Sequence, residues 1–271
     1  MRSLGKVLAV AAAAASVVGG AWLWWRWLMR RQVTWQKILS DNIPVHSAYW
    51  RARREVPGDI LYVAIGDSAA QGIGASRPAR GYVGVIAKKL AKMSGHSIRV
   101  VNLGISGATL QTALVKELPR LKRLNPDILT VAIGANDIAE WNPQRFGEQI
   151  ELLFAQLPRH AIVADLPSFY FLPGERKAQQ GNRMLRAAAA RHGLRVVDLH
   201  EAMRREGMRG VVTQFAGDLF HPNDRGYAIW AGAFLPAVED RLEQVLEAQA
   251  SGSSDSSARS QSRASTNTSS A

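Results

Sequence analysis

The chain has 271 residues, enough for one globular domain with extensions at its ends. It carries 34 Lys and Arg against 22 Asp and Glu, but residues 1–54 hold +8 of the net charge of +12 and residues 55–250 only +3. This distribution argues against nucleic acid as a partner of the globular part. The absence of cysteine excludes disulfides, thiolate catalysis and cysteine metal sites.

An uncharged stretch near the amino terminus, Val7–Trp25, has about the length that spans a bilayer as a helix. Four tryptophans cluster at its carboxyl end, as aromatic side chains do at the level of lipid headgroups: Trp22, Trp24, Trp25 and Trp27. We therefore expect residues 1–31 to form a transmembrane anchor, which makes the membrane a partner, with a cleaved signal peptide as the alternative. Residues 32–57 are then expected to form a linker.

The orientation of this anchor follows from two opposing features. Positive charge is denser after Trp25 than before it, which favours a cytoplasmic main domain. A short charged amino terminus followed by an apolar run is, however, also how export signals begin. We expect a membrane-anchored protein with an extracytoplasmic domain, and the cytoplasmic orientation and a cleaved, secreted form are the alternatives.

Residues 58–248 alternate short apolar runs with amphipathic stretches. The predicted strands are rich in Val and Ile and apolar on both faces, as in a buried parallel sheet: Ile60–Ile65, Ile98–Asn102, Ile128–Ile133, Ala161–Asp165 and Leu194–Val197. The predicted helices between and after them are Tyr82–Met93, Thr109–Leu124, Pro143–Leu157, Glu175–Arg191 and Asp224–Glu247. The alternation predicts an α/β fold, a three-layer α/β/α sandwich around a parallel five-stranded sheet. Residues 249–271 are rich in serine, and we expect them to be disordered.

Four polar segments follow predicted strands or precede the last helix. They are "GDS" at Gly66–Ser68, "NLGISGAT" at Asn102–Thr109, "GAND" at Gly134–Asp137 and "DLFHPN" at Asp218–Asn223. Ligands bind at the carboxyl ends of the strands in such sheets, so we expect the four segments to meet at one edge.

Ser68, His221 and Asp218 have the residue types of a nucleophile, its general base and the acid that orients the base. Asp218 precedes His221 by three residues, which a tight turn can bring into contact. Asp198 and His200 also follow a strand, but alternate residues of an extended strand point to opposite faces, which disfavours their pairing. Taken alone, Ser68 is better explained as a helix cap than as a nucleophile.

The same segments contain candidate donors for an oxyanion. The N–H groups of Ser68 and Gly104 and the side-chain amide of Asn136 could bind a developing negative charge. Each has a structural explanation when taken singly, because glycine and asparagine are common in turns. The joint occurrence of the four segments in this order favours a catalytic site.

The sequence resembles the GDSL or SGNH hydrolase family in these four segments. Ser68, Gly104, Asn136 and His221 match the four residues that give the family its name, with Asp218 as the acid, over residues 58–245. Ala69 replaces the leucine of the nominal "GDSL". The resemblance implies a flavodoxin-like fold and hydrolysis of carboxylic esters through an acyl-enzyme on Ser68, without a cofactor or metal.

Three alternatives to a serine esterase or lipase stay open. The same residues could serve a carbohydrate O-deacetylase or an O-acyltransferase. The chain could instead be a catalytically silent, membrane-tethered binding domain. A flavodoxin-like phosphate-binding domain could use "GDSAAQGIG" as its loop, although no Walker-type lysine follows those glycines.

The substrate is expected to be a small-molecule, lipid or glycan ester. Arg77 and Arg80 could contact an anionic acyl or head group, because they follow the nucleophile segment. Phe169, Tyr170 and Phe171 follow the fourth predicted strand and could form an apolar wall for the acyl chain. The arginine segment is better explained as a solvated loop, and the aromatic segment is equally compatible with a packing role.

Overall fold

The computed structural model describes the backbone of residues 2–266 and the side chains of residue 16 and residues 18–251. Five strands form one sheet: β1 Ile60–Gly66, β2 Ile98–Asn102, β3 Ile128–Ala132, β4 Ile162–Ala164 and β5 Arg195–Val197. All neighbouring strands are parallel, in the order β2-β1-β3-β4-β5. The predicted parallel five-stranded sheet is confirmed.

Ten α-helices are found among the residues whose backbone is described. They are α1 Arg2–Arg54, α2 Ser68–Gln71, α3 Tyr82–Ser94, α4 Leu110–Thr112, α5 Leu118–Leu121, α6 Pro143–Phe154, α7 Gly174–His192, α8 Leu199–Arg204, α9 Gly207–Thr213 and α10 Asp224–Thr266. Short 3₁₀ turns cover Pro78–Arg80 and Asn136–Ile138.

The helices cover both faces of the sheet. Along β1, Tyr62 and Ala64 belong to the core shared with α3 and α10, whereas Val63 and Ile65 belong to the core shared with α6 and α7. Side chains of a strand alternate between its two faces, so these two cores define the predicted α/β/α sandwich. The helices cover the faces of the sheet and not its edge, and the polar segments follow the carboxyl ends of β1 and β3 at this edge.

The predicted helix Thr109–Leu124 is divided into three parts. A π-turn, Ala113–Glu117, separates α4 from α5. Pro119 is the second residue of α5, and proline has no N–H with which to continue an α-helical hydrogen-bond ladder. The helix therefore changes its winding just before the proline.

Residues 32–57, predicted to be a linker, continue α1 as far as Arg54. Leu39, His46 and Trp50 of this part of α1 are buried against the domain. Within the described residues, no helix is both long and apolar enough to cross a membrane. Residues 1–15 and residue 17 of the predicted anchor lie outside the described side chains, so the anchor and its orientation stay predictions.

The last helix is longer than predicted. α10 continues to Thr266, into the serine-rich segment 249–271, and residues 267–271 lie outside the described residues. The disorder expected for this segment stays a prediction.

Glu117, in the π-turn, is buried under the end of β1. Its Oε2 accepts a hydrogen bond from the Gly66 N–H at 3.0 Å, while Oε1 has no partner among the described residues. Burial raises the pKa of this carboxyl from 4.5 to about 8, against the opposing effect of the Gly66 N–H. Since the folded pKa exceeds the unfolded one, the contribution of Glu117 to stability is fully present below pH 4.5 and is lost as the pH rises through 8.

Replacement of Glu117 by Gln removes this titration while keeping an acceptor for the Gly66 N–H. We expect the free energy of unfolding of Glu117→Gln, relative to wild type, to rise by about 1.4 kcal/mol per pH unit between roughly pH 5 and pH 8. Urea denaturation across this range measures the difference. Glu148→Gln, on the exposed face of α6, is the matched control for the loss of one carboxyl group. A pH dependence for Glu117→Gln no steeper than that of this control would contradict the assignment.

Candidate active site

Ser68 lies where β1 turns into α2 and is the first residue of that helix. Asp67 caps the helix: its Oδ1 accepts a hydrogen bond from the Ala69 N–H at 2.8 Å. The side chain of Ser68 is mostly buried but lines an open cavity. The cap and the strand therefore fix the backbone of Ser68 from both sides.

The turn Asp218–His221 precedes α10 and brings its first and last side chains together. Asp218 Oδ1 accepts hydrogen bonds from the N–H groups of Phe220 and His221, both at 3.1 Å. Leu219 has a left-handed φ of 59°, which a non-glycine residue adopts only when its surroundings require it. Asn223 then caps α10 by accepting from the N–H groups of Arg225 and Gly226.

Three predicted residues, Ser68, His221 and Asp218, form a continuous hydrogen-bonded chain. The Oγ of Ser68 lies 3.0 Å from His221 Nε2, and His221 Nδ1 lies 2.6 Å from Asp218 Oδ2. Burial would raise the pKa of Asp218, but hydrogen bonds and charge from His221, together with the backbone N–H bonds, hold it below its usual value. Asp218 is therefore ionised at neutral pH and holds a proton on His221 Nδ1, which leaves Nε2 free to accept the hydroxyl proton.

The three predicted oxyanion donors differ in the hydrogen-bond partners that they have in the structure. Ser68 opens α2, so its N–H has no partner within the helix. The Gly104 N–H donates to Asn102 Oδ1 at 3.0 Å. Asn136 Nδ2 donates to Ala108 O at 2.9 Å and to Asp67 Oδ2 at 3.2 Å. Asn136 lines the cavity beside Ser68, whereas Gly104 is not among the residues that line it.

Gly104 nevertheless lies directly against the nucleophile segment. A Cβ added at this position would lie 2.7 Å from the Cβ of Ala70 and 3.1 Å from the carbonyl oxygen of Asp67. No side chain fits there without displacing α2 or β2. This close approach requires a glycine at position 104, whether or not its N–H binds an oxyanion.

Asp67 is a further titratable group of this site that the sequence did not single out. Burial raises its pKa to about 6, opposed by the Ala69 N–H bond and by the charge of His221. Its Oδ2 is the acceptor that faces Asn136. The "GDS" motif contained Asp67, but its spacing gave no sign of a contact with Asn136, which is 69 residues away.

A cavity of about 270 Å³ opens beside Ser68 and His221. Its walls are mainly apolar and include Phe169, Tyr170, Phe171, Val211, Leu219 and Phe220. The predicted wall after β4 is thus found at the cavity. The contribution of α8 and α9 was not predicted, because short helices without a polar motif carry no sequence signal of a binding site.

The two predicted arginine contacts lie elsewhere. Arg77 and Arg80 are exposed and are not among the residues that line the cavity, and Arg80 pairs with Asp224 at 3.6 Å. Asp198 and His200 do not pair with each other: Asp198 contacts Arg186, and His200 Nε2 lies 2.8 Å from Glu175 Oε1.

Comparisons with known proteins match this chain to hydrolases. Residues 64–229 match the GDSL-like Lipase/Acylhydrolase family. A GDSL-like esterase of Mycobacterium tuberculosis is 28% identical over 215 residues, which cover 73% of this chain and 67% of that protein.

Two solved structures share the fold. An alpha/beta hydrolase from the metagenome of Lake Arreo, Spain, is 24% identical with a TM-score of 0.58, and the match covers 68% of this chain and 97% of that one. An acetyl-xylooligosaccharide esterase of Geobacillus stearothermophilus is 23% identical with a TM-score of 0.57, covering 68% of this chain and 96% of that one. Because the family match spans more than half of the sequence and contains both Ser68 and His221, the chain belongs to the GDSL-like lipase/acylhydrolase family.

Proposed function

We propose that the protein hydrolyses carboxylic esters through an acyl-enzyme on Ser68. The observation that carries this proposal is the unbroken chain from Asp218 through His221 to Ser68, with contacts of 2.6 and 3.0 Å. These distances lie within the range over which a base can take a proton from its nucleophile. Membership of a hydrolase family supports the same chemistry.

The reaction begins with attack of Ser68 Oγ on the ester carbonyl carbon while His221 Nε2 takes the hydroxyl proton. The carbonyl π-electrons move to the oxygen, and collapse of the tetrahedral intermediate expels the alkoxide, which His221 protonates. Water then attacks the acyl carbon and gives a proton to His221. Collapse of the second tetrahedral intermediate breaks the bond to Ser68 Oγ, which takes that proton from His221 as the carboxylic acid leaves. Asp218 keeps the imidazole in the orientation that both half-reactions need.

The oxyanion is bound by the Ser68 N–H and by Asn136 in this proposal, with Gly104 as the third donor. Asn136 lines the cavity, and its longer hydrogen bond, 3.2 Å to Asp67, is the one that a substrate oxygen would replace. The Gly104 N–H has to leave Asn102 before it can donate to substrate. A negatively charged substrate oxygen is a stronger acceptor than the neutral amide of Asn102, which favours the exchange at Gly104.

The cavity favours acyl chains longer than acetyl. A methylene group occupies roughly the volume of a water molecule, about 30 Å³, so a 270 Å³ cavity has room for several methylenes beyond the carbonyl. Apolar walls stabilise such a chain by about 0.8 kcal/mol for each buried methylene. The structural similarity to an acetyl-xylooligosaccharide esterase extends to the fold alone, so deacetylation of glycans is the alternative that a substrate series tests.

Ser68→Ala removes the nucleophile while leaving the helix and its Asp67 cap unchanged. We expect the variant to unfold at the wild-type temperature, yet to hydrolyse p-nitrophenyl butyrate at least about 1000-fold more slowly. Thermal unfolding followed by circular dichroism and steady-state kinetics measure the two quantities. Turnover near the wild-type rate would contradict a serine acyl-enzyme.

Val211→Trp fills the cavity from α9 and should shorten the preferred acyl chain. In wild type, kcat/KM should rise about fourfold per methylene from acetyl to hexanoyl esters, as 0.8 kcal/mol per methylene implies. The variant should lose this increase and retain its activity on the acetyl ester. Val212→Trp is the matched control, since Val212 is the next residue on α9 and is 76% exposed; an unchanged chain-length profile in Val211→Trp would contradict the acyl cavity.

A further inference from the structure

The helix that carries Ser68, α2, is too short for its backbone carbonyl groups to find hydrogen-bond donors within it. α2 has four residues, and the last four carbonyl groups of any helix lack partners within it. The first two carbonyls are satisfied by the turn that follows: Ser68 O accepts from the Ile73 N–H and Ala69 O from the Gly72 N–H, both at 3.0 Å. The carbonyls of Ala70 and Gln71 need donors from elsewhere in the chain.

The donors for these two carbonyls come from β2 and from α1. Asn102, the last residue of β2, donates its side-chain amide to Ala70 O at 2.6 Å. Trp50 of α1 donates its indole N–H to Gln71 O at 3.0 Å, and His46 Nδ1 lies 2.9 Å from the same oxygen. A carbonyl oxygen only accepts, so Nδ1 of His46 carries the proton. Two side chains of α1 therefore donate hydrogen bonds to the last carbonyl group of α2.

The side chain of Gln71 extends the connection to the second polar segment. Its Nε2 donates to Gly104 O at 2.8 Å, and its Oε1 accepts from the hydroxyl of Ser47 at 3.2 Å. The Gly104 N–H in turn donates to Asn102 Oδ1. A closed ring of hydrogen bonds thus joins α2 to the Gly104 segment, and Ser47 ties that ring to α1.

A second part of α1 contacts the segment that carries the acid and base. The indole of Trp35 lies flat against Gly217, so that a Cβ added at Gly217 would overlap it. Gly217 directly precedes Asp218. The same helix therefore contacts both segments that carry the hydrogen-bonded chain: Trp50 contacts Gln71 at the end of α2, and Trp35, 15 residues earlier, contacts Gly217 beside Asp218.

We propose that α1 is part of the catalytic unit, and that His46, Trp50 and Gln71 are positioning residues that hold Ser68 in its reacting geometry. α1 lies before residues 64–229, which match the family, so the family match does not by itself imply this role. The proposal rests on the proposed esterase function. None of the three side chains lines the cavity, which separates their effect from substrate binding.

The split between kcat and KM follows from this arrangement. Loss of a donor to Gln71 O lets the end of α2 shift, which displaces Ser68 Oγ relative to His221. A displacement of this kind slows both acylation and deacylation, because Ser68 Oγ and His221 act in both steps, and kcat therefore falls. The cavity walls outside α2 keep their place, so we expect KM to change little. A role of α1 in stability alone would leave both constants of the folded enzyme at their wild-type values.

The test uses Trp50→Phe in the full chain, which removes the indole N–H and keeps an aromatic ring. Trp141→Phe is the matched control, because it removes an indole N–H that donates to Gln180 Oε1 at 3.3 Å, away from the cavity. With p-nitrophenyl butyrate we expect kcat of Trp50→Phe to fall about tenfold with KM within twofold of wild type. Labelling of Ser68 by a small fluorophosphonate should slow by the same factor, and Trp141→Phe should match wild type in both assays.

A pair of variants at His46 provides a second, independent measurement. Asn places an amide nitrogen where Nδ1 lies, so His46→Asn should keep most of the activity, whereas His46→Leu should lower kcat as Trp50→Phe does. If Trp50→Phe fails to fold, as judged by circular dichroism, this pair decides. Equal kcat values for His46→Asn, His46→Leu and wild type, or for Trp50→Phe and Trp141→Phe, would overturn the role of α1. Failure of the esterase function itself looks different: the wild type would then neither hydrolyse the ester nor take up the fluorophosphonate.

Discussion

The contact between Ser68 Oγ and His221 Nε2 joins residues that are 153 positions apart in the chain. It depends on the parallel sheet, because β1 ends at the same edge beside which α10 begins. Tyr227 fixes α10 against the nucleophile segment, and Asn223 fixes its start against the end of α9. Tyr227 donates its hydroxyl to Ile73 O at 2.6 Å, and Asn223 binds the first N–H groups of α10 while its amide bonds the carbonyls of Thr213 and Phe215. The geometry of Ser68, His221 and Asp218 thus depends on the packing of the whole α/β/α sandwich.

Much of this arrangement was predictable from the sequence, because local signals and global topology agree. Strands buried on both faces must be apolar throughout, and β1 shows that pattern in "ILYVAIG". The spacing of Asp218 and His221 predicts a tight turn. The parallel topology brings the carboxyl ends of the strands to one edge of the sheet. The predicted site residues are therefore those whose placement follows from a strand end or from a turn.

The features that could not be predicted depend on contacts between distant segments. Nothing in residues 32–57 signals that His46 and Trp50 would reach the carbonyl of Gln71, since a buried histidine and tryptophan are common in any core. The cavity walls formed by α8 and α9 could not be predicted for the same reason, because they also depend on contacts between distant segments. The break before Pro119 was visible as a proline, but the π-turn and the buried carboxyl of Glu117 follow from how that proline is accommodated.

The resting hydrogen bonds of Gly104 and Asn136 bear on how the proposed reaction starts. Both groups are satisfied in the structure, so neither the Gly104 N–H nor the Asn136 amide lacks an acceptor before substrate arrives. For the Gly104 N–H, exchange of the Asn102 amide for a neutral carbonyl oxygen changes the free energy little, whereas a bond to a charged oxygen is stronger. Such a site gains its electrostatic stabilisation mainly as the oxyanion forms, which is when catalysis requires it.

The acyl-enzyme itself is the most direct measure of the account. Wild-type protein mixed with p-nitrophenyl butyrate and quenched in acid within milliseconds should carry one added butyryl group, and peptide mass spectrometry should locate it on Ser68. A parallel release of p-nitrophenol should approach one equivalent per enzyme before steady state if deacylation is the slower step. A butyryl group on another residue, or hydrolysis in full with no adduct under conditions where the burst is observed, would contradict the assignment of Ser68 as the nucleophile.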